Sequence, residues 1–190
     1  MLLSIKKRQE YLKALGFYKG NVDGIVGAKT KKAYKDLQIT YFTREKDIDG
    51  KYGKNTDTLL RNAYNVKIYC PNFKLEEFKC GCGGKHCTGY PAVLDTQLLK
   101  NVQSVRDVCG ATTITSGLRC SKHNSAVGGA SGSRHKSGKA VDFKNNMSST
   151  VAGRKRIMEF WKTLPKWRYT YCDIKGSNRG MGKSVHGDVK

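Results

Sequence analysis

The chain has 190 residues, enough for one or two hydrophobic cores. Lysine and arginine number 36 against 15 aspartates and glutamates, and the formal charge of +21 attracts polyanions through a field that salt screens. No run approaches the roughly twenty apolar residues of a membrane span, and the charge comes with neither finger-type spacing nor an aromatic–basic run for stacking bases, so nucleic acid is not the expected partner.

The first elements read as helices. Gln9, Leu12, Leu15 and Gly16 fall at helical spacing, with Ser4 as N-cap and Gly16 as stop. Val22-Asp23-Gly24-Ile25-Val26-Gly27 is a turn-rich loop, after which Thr30, Ala33, Tyr34 and Leu37 give a second amphipathic helix. The loop recurs as Ile48-Asp49-Gly50-Lys51-Tyr52-Gly53, before Thr56, Leu59 and Leu60 on a third, short helix. Two Asp-Gly-x-x-Gly turns, each followed three residues later by Thr, form an internal repeat. This repeat resembles the peptidoglycan-binding domain 1 family over residues 3–64. The resemblance implies an all-α three-helix bundle at residues 1–65 that anchors the chain on peptidoglycan and raises its effective concentration there. The positive charge suits the same partner, because teichoic acids and peptidoglycan carboxylates are anionic.

The boundary falls near Asn62 to Asn72, where the helical pattern ends and Cys70-Pro71 intervenes, leaving residues 66–190 as a second domain. It opens with Phe73 to Phe78. A helix follows from Ala92 to Cys109, with Leu94, Leu98, Val102 and Val105 on its apolar face and Gly110 as stop. Thr112 to Thr115 reads as a strand, Gly138 to Phe143 as a strand entered through a glycine turn, and Val151 to Leu164 as a helix. Trp167 to Ile174 and Ser184 to Val189 read as closing strands, giving a small α+β domain with an antiparallel sheet. Seven cysteines accompany these elements, an odd number that rules out complete intrachain pairing. Cys80, Cys82, His86 and Cys87 are compactly spaced. A structural metal, reduced thiols and a later disulfide all remain open for them.

The most informative segment is Ser133-Arg-His135-Lys-Ser-Gly138-Lys-Ala140-Val-Asp142, followed late in the chain by His186-Gly-Asp188. Two histidines and one carboxylate are a ligand set for hydrolytic zinc, and three protein ligands leave a fourth position free. Gly138 and Ala140 are small, so the backbone between His135 and Asp142 can fold tightly. His186 and Asp188 are two apart, so on a strand they share a face. Together these residues resemble the bacterial and phage zinc peptidases that include D-alanyl-D-alanine carboxypeptidases and L-alanyl-D-glutamate endopeptidases. Thr115-Ser116-Gly117-Leu118-Arg119, with His123-Asn124 and Gly128-Gly129, is similar to another segment of that family, and the resemblance covers residues 72–190. It implies zinc held by His135, Asp142 and His186, with Arg119 gripping the substrate.

The chain departs from the family in one place. Many relatives carry a carboxylate base three residues before the last histidine, where this chain has Lys183. A protonated lysine cannot take that role, so Asp188 becomes the expected base or a partner behind the metal, with Asp173 as the alternative. The expected function is a monomeric peptidoglycan hydrolase that cuts stem or cross-link peptides with a zinc-activated water. Met1-Leu-Leu-Ser-Ile-Lys-Lys has no signal-peptide h-region, which suggests synthesis in the cytoplasm. The order of modules resembles a phage endolysin released to the wall by a holin. The competing expectations are a catalytically degenerate wall-binding or virion part, for which Lys183 is the argument, and a basic nucleic-acid-binding protein.

Overall fold

The computed structural model describes residues 1–174 and 181–190. Its N-terminal part is helical, with α1 at Ile5–Ala14, α2 at Ala28–Tyr41 and α3 at Lys54–Tyr69. The Ser4 side chain caps α1 by accepting from the Lys7 amide, and the helix stops just before Gly16. Leu12, Ala33, Tyr34, Leu37, Leu59 and Leu60 form the buried seam between the three helices.

Two buried glutamines explain the internal repeat. Gln9 donates through Nε2 to Asp23 Oδ1 at 2.7 Å, Ile25 O at 3.0 Å and Thr30 Oγ1 at 3.2 Å, and its Oε1 accepts from the Gly24 amide at 2.8 Å. Gln38 repeats the pattern with Asp49 Oδ1 at 3.0 Å, Lys51 O at 3.0 Å, Thr56 Oγ1 at 2.9 Å and the Gly50 amide at 2.7 Å. Each Asp-Gly loop is therefore locked to the preceding helix by one amide side chain. That satisfies loop polar groups that would otherwise be costly to bury. The repeat that sequence shows as Asp, Gly and Thr has glutamine as its hub.

The third helix is longer than its sequence pattern suggested. It runs across residues 65 and 66 because Ala63 and Val66 continue the buried face beyond Leu60. Asn62 on α3 accepts from the Leu94 amide at 2.8 Å and donates to Ala92 O at 2.9 Å, tying the helix to the segment ahead of α4. That segment is extended rather than helical. Asp95 caps α4 by accepting from the Gln97 and Leu98 amides, so α4 spans Thr96–Cys109 and not the expected stretch from Ala92.

The C-terminal part is α+β, as expected. Strands β1 (Thr112–Ser116), β2 (Ala140–Asn145), β3 (Trp167–Cys172) and β4 (Val185–Val189) form one antiparallel sheet in the order β1-β2-β4-β3. The short α5 (Ser121–Ala126) follows β1, and α6 (Val151–Thr163) joins β2 to β3. Helices α4 and α6 cover one face of the sheet, with Leu98, Val102, Val105, Ile157 and Trp161 fully buried beneath it. The Trp161 ring lies 5.7 Å from that of Phe143, and a Cβ at Gly187 would meet it at 2.6 Å, so β4 passes directly over the indole.

Candidate metal centre and active site

The sheet order builds the site. Because β4 inserts beside β2, His186 lies directly opposite Asp142 in the antiparallel register. His135 arrives from a 3-10 turn at Arg134–Ser137 that leads through Gly138 into β2. Gly138 holds φ +72°, ψ +22°, a left-handed conformation that a side-chain-bearing residue adopts only with strain. Its carbonyl accepts from the Asp95 amide at 2.9 Å, pinning the turn against the chain ahead of α4.

One ligating atom each from His135, Asp142 and His186 falls within 4.8 Å of the others, and all three residues are buried. Asp142 Oδ1 is 2.7 Å from His186 Nδ1 and 3.4 Å from His135 Nε2. His135 Nδ1 lies 2.7 Å from Gly117 O, which only accepts, so Nδ1 carries the proton and Nε2 presents a lone pair inward. Burial disfavours the Asp142 carboxylate, but the two imidazoles outweigh it and hold its pKa well below the usual carboxylate range. Burial likewise opposes the charge on His186, yet its hydrogen bonds with Asp142 and Asp188 win and raise its pKa. Two inward-facing imidazole nitrogens and one ionised carboxylate oxygen are a donor set that fits zinc.

Arg119 donates to Asp142 Oδ2 at 2.7 Å and to Ser116 Oγ at 2.9 Å, so it tethers the carboxylate oxygen turned away from His186. Asp188 lies on the other side of His186, with Oδ2 3.7 Å from Nε2 and 3.1 Å from Arg168 Nη1. Its Oδ1 is buried without a hydrogen-bond partner. The three ligand candidates, Arg119 and Asp188 all line one open cavity of about 630 Å³. Asp173 is not among the lining residues; its carbonyl accepts from the Arg154 guanidinium at 3.0 Å. Lys183 is exposed and also outside the lining.

The sequence profile of the Peptidase M15 family matches residues 71–168, and that of a peptidoglycan binding domain family matches residues 4–60. The chain belongs to the Peptidase M15 family. A search of the curated proteins finds no match. Peptidase M15 members are metallopeptidases and typically zinc-dependent. With the peptidoglycan-binding segment ahead of it, this M15 chain is a peptidase that acts on peptidoglycan. The matched M15 segment contains Arg119, His135 and Asp142; His186 and Asp188 lie beyond its end and join them through strand pairing.

Two other cavity residues of this M15 domain, both on β3, carried no sequence signal. Arg168 and Tyr171 reach it from β3, and the Tyr171 ring lies 5.0 Å from that of His186, tilted by 31°. Their placement depends on β3 pairing with β4, for which no local pattern exists. Ser116 and His123 also line the cavity, with His123 on α5, a helix too short for its periodicity to be visible.

Proposed function

We propose that the protein is a zinc-dependent peptidoglycan hydrolase that cuts stem or cross-link peptides, with residues 1–65 as the wall anchor and residues 66–190 as the catalytic domain. The convergence of His135, Asp142 and His186 at the floor of an open cavity carries this reading. His135 through Nε2, Asp142 through Oδ1 and His186 through Nδ1 would hold the metal. Bound there, zinc would supply Lewis acidity toward a peptide carbonyl and toward water.

The chain's own residues supply the rest. Gly117 O fixes the tautomer of His135, and the Asp188 carboxylate, 3.7 Å from Nε2 of His186, is the group placed to support that ring once Nδ1 holds the metal. Both are carboxylate- or carbonyl-to-imidazole supports of the kind that orient metal ligands. Asp188 is also the only carboxylate besides Asp142 among the described residues lining the cavity, which makes it the proton carrier we favour over Asp173. Arg119 keeps Asp142 in place and presents the rest of its guanidinium to the cavity, where a stem-peptide carboxylate would be held. Arg8, Lys31, Lys35 and Lys51, with Tyr34 and Tyr52, line a separate cleft of about 670 Å³ in the helical part, a basic surface suited to an anionic wall polymer. No described helix is long and apolar enough to cross a membrane. Release of the protein to the wall in the manner of a phage endolysin is part of the same proposal.

Digestion of purified peptidoglycan followed by mass spectrometry of the muropeptides tests this reading and identifies the bond. New stem-peptide termini, absent with His135→Ala and Asp142→Asn, are expected. Wall binding by wild type with no new termini would replace it with the degenerate, adhesion-only reading that Lys183 suggests.

A further inference from the structure

A second cluster of metal-binding side chains lies outside this cavity. The sulfurs of Cys80, Cys82, Cys87 and Cys120 all fall within 4.8 Å of one another, and Cys82 and Cys87 are 3.5 Å apart. A tetrahedral zinc with bonds of about 2.3 Å places its sulfurs about 3.8 Å apart, which matches this spacing. A disulfide requires about 2.0 Å, and all seven cysteines are free thiols. His86, the neighbour that sequence spacing suggested as a ligand, is exposed; the fourth position is filled by Cys120, far along the chain.

Ordinary core packing does not account for the cluster. Cys80, Cys82 and Cys120, with Cys87 against them, form a buried group separate from the main core and containing no aliphatic or aromatic side chain. The chain from Lys79 to Asp95 has no helix or strand. It exceeds the roughly 12–15 residues beyond which structureless loops are uncommon in compact domains. Tyr90 and Leu94 tie its later half to the main core, and the four sulfurs are the buried centre of the part that precedes them. Backbone amides point at the sulfurs: Cys120 N–H donates to Cys80 Sγ at 3.3 Å, Gly89 N–H to Cys87 Sγ at 3.4 Å and His123 N–H to Cys120 Sγ at 3.5 Å. Such donors stabilise the thiolate form that binds metal.

We infer that these four cysteines hold a structural zinc ion, distinct from the metal of the cavity. Its position gives it a second role. Cys120 directly follows Arg119 and caps α5, which carries His123 into the cavity wall. The Leu118 amide donates to Phe78 O at 2.9 Å and the Arg119 amide to His135 O at 3.1 Å. The ion therefore staples the irregular loop to the corner that bears Arg119, and fixes the arginine wall relative to the histidines. A metal that binds only the folded state adds its binding free energy to folding.

Zinc content of the full chain tests this independently of activity. The double variant His135→Ala/His186→Ala keeps all four thiols and is expected to retain one zinc per chain. A mercurial titrant should release that zinc as it consumes thiols. Cobalt substituted into the same variant should give a thiolate-to-cobalt charge-transfer band in the near ultraviolet, lost in Cys82→Ser/Cys87→Ser. A double histidine variant that holds no zinc and shows no such band would overturn the inference while leaving the cavity site intact. Two fewer hydrogens per cysteine pair by intact mass, showing disulfides, would overturn it as well. A cysteine variant that loses one zinc while the histidine variant loses none would support this site and count against the cavity site instead.

Discussion

Replacing Gly138 by alanine tests whether the turn between His135 and Asp142 depends on a missing side chain. A Cβ at this position would lie inside van der Waals contact of Val93 O, 2.9 Å from the Val93 carbonyl carbon and 3.1 Å from Leu94 Cα. These are backbone atoms of a segment held by Asn62 and by the Asp95 amide, so they cannot swing aside as a flexible side chain would. The left-handed backbone costs alanine about 1–2 kcal/mol. Forcing packed backbone apart costs about 1–3 kcal/mol more. The stiffer unfolded chain returns about 0.4–1 kcal/mol. The net expectation is a loss of roughly 1–4.6 kcal/mol, or a fall in Tm of roughly 2–18 °C for a chain of this size. If the turn yields rather than the domain, the cost appears as weaker zinc binding, because His135 moves away from Asp142. Urea denaturation and zinc titration of Gly138→Ala, beside a Gly132→Ala control, separate the outcomes. Gly132 has no atom within 4 Å of an added Cβ, so that control should match wild type. Stability within about 0.5 kcal/mol of wild type and unchanged zinc affinity in Gly138→Ala would refute the steric account of the motif glycine.

Gln38→Glu keeps the shape of the hub but turns its donor end into an acceptor facing Asp49 Oδ1, Lys51 O and Thr56 Oγ1. A loss of about 2–4 kcal/mol at neutral pH is expected, read by chemical denaturation, and an unchanged midpoint would show the network to be idle. Asp57 accepts from the Leu3 amide, the Tyr52 hydroxyl and Arg61; burial opposes its charge, but these partners win and its pKa is lowered. A lowered folded pKa gives stability that is full above the unfolded value of about 4 and lost as pH falls through the folded one. Asp57→Asn should therefore flatten the acid side of the stability profile, and a variant as acid-sensitive as wild type would exclude Asp57 as a source. Asp188→Asn distinguishes its two roles. Loss of about 10–100-fold in zinc affinity marks it as the support of His186, whereas full zinc with cleavage reduced by about a hundredfold or more marks it as the proton carrier. Normal zinc and normal cleavage would exclude both.

Local chemistry made much of this protein legible. Ser4 ahead of the first apolar period, the two Asp-Gly loops, and the apolar faces of α4 and α6 each depend on neighbours within a few residues, so their elements could be placed from sequence. The His135, Gly138 and Asp142 spacing is legible for the same reason, since the turn and the strand that join them are continuous chain. The errors came where local patterns meet tertiary contacts. The periodicity of α3 appeared to end at Leu60 because Asn62 interrupts it. That asparagine is buried at the junction with α4, where its amide is satisfied by backbone groups of a segment thirty-odd residues later.

The sequence determined which residue types were available for a metal site and which short segments would hold them. The fold alone determined how they meet. The strand order β1-β2-β4-β3 places His186 opposite Asp142 and brings Arg168 onto Asp188. It thereby selects the imidazole nitrogen of His186 that faces Asp142 and the one that faces Asp188. The same kind of long-range closure brings Cys120 to Cys80 and leaves His86 in solvent. Spacing along a chain constrains only what a few peptide units can reach, whereas pairing between distant segments is set by the shared burial of faces whose partners no local pattern names.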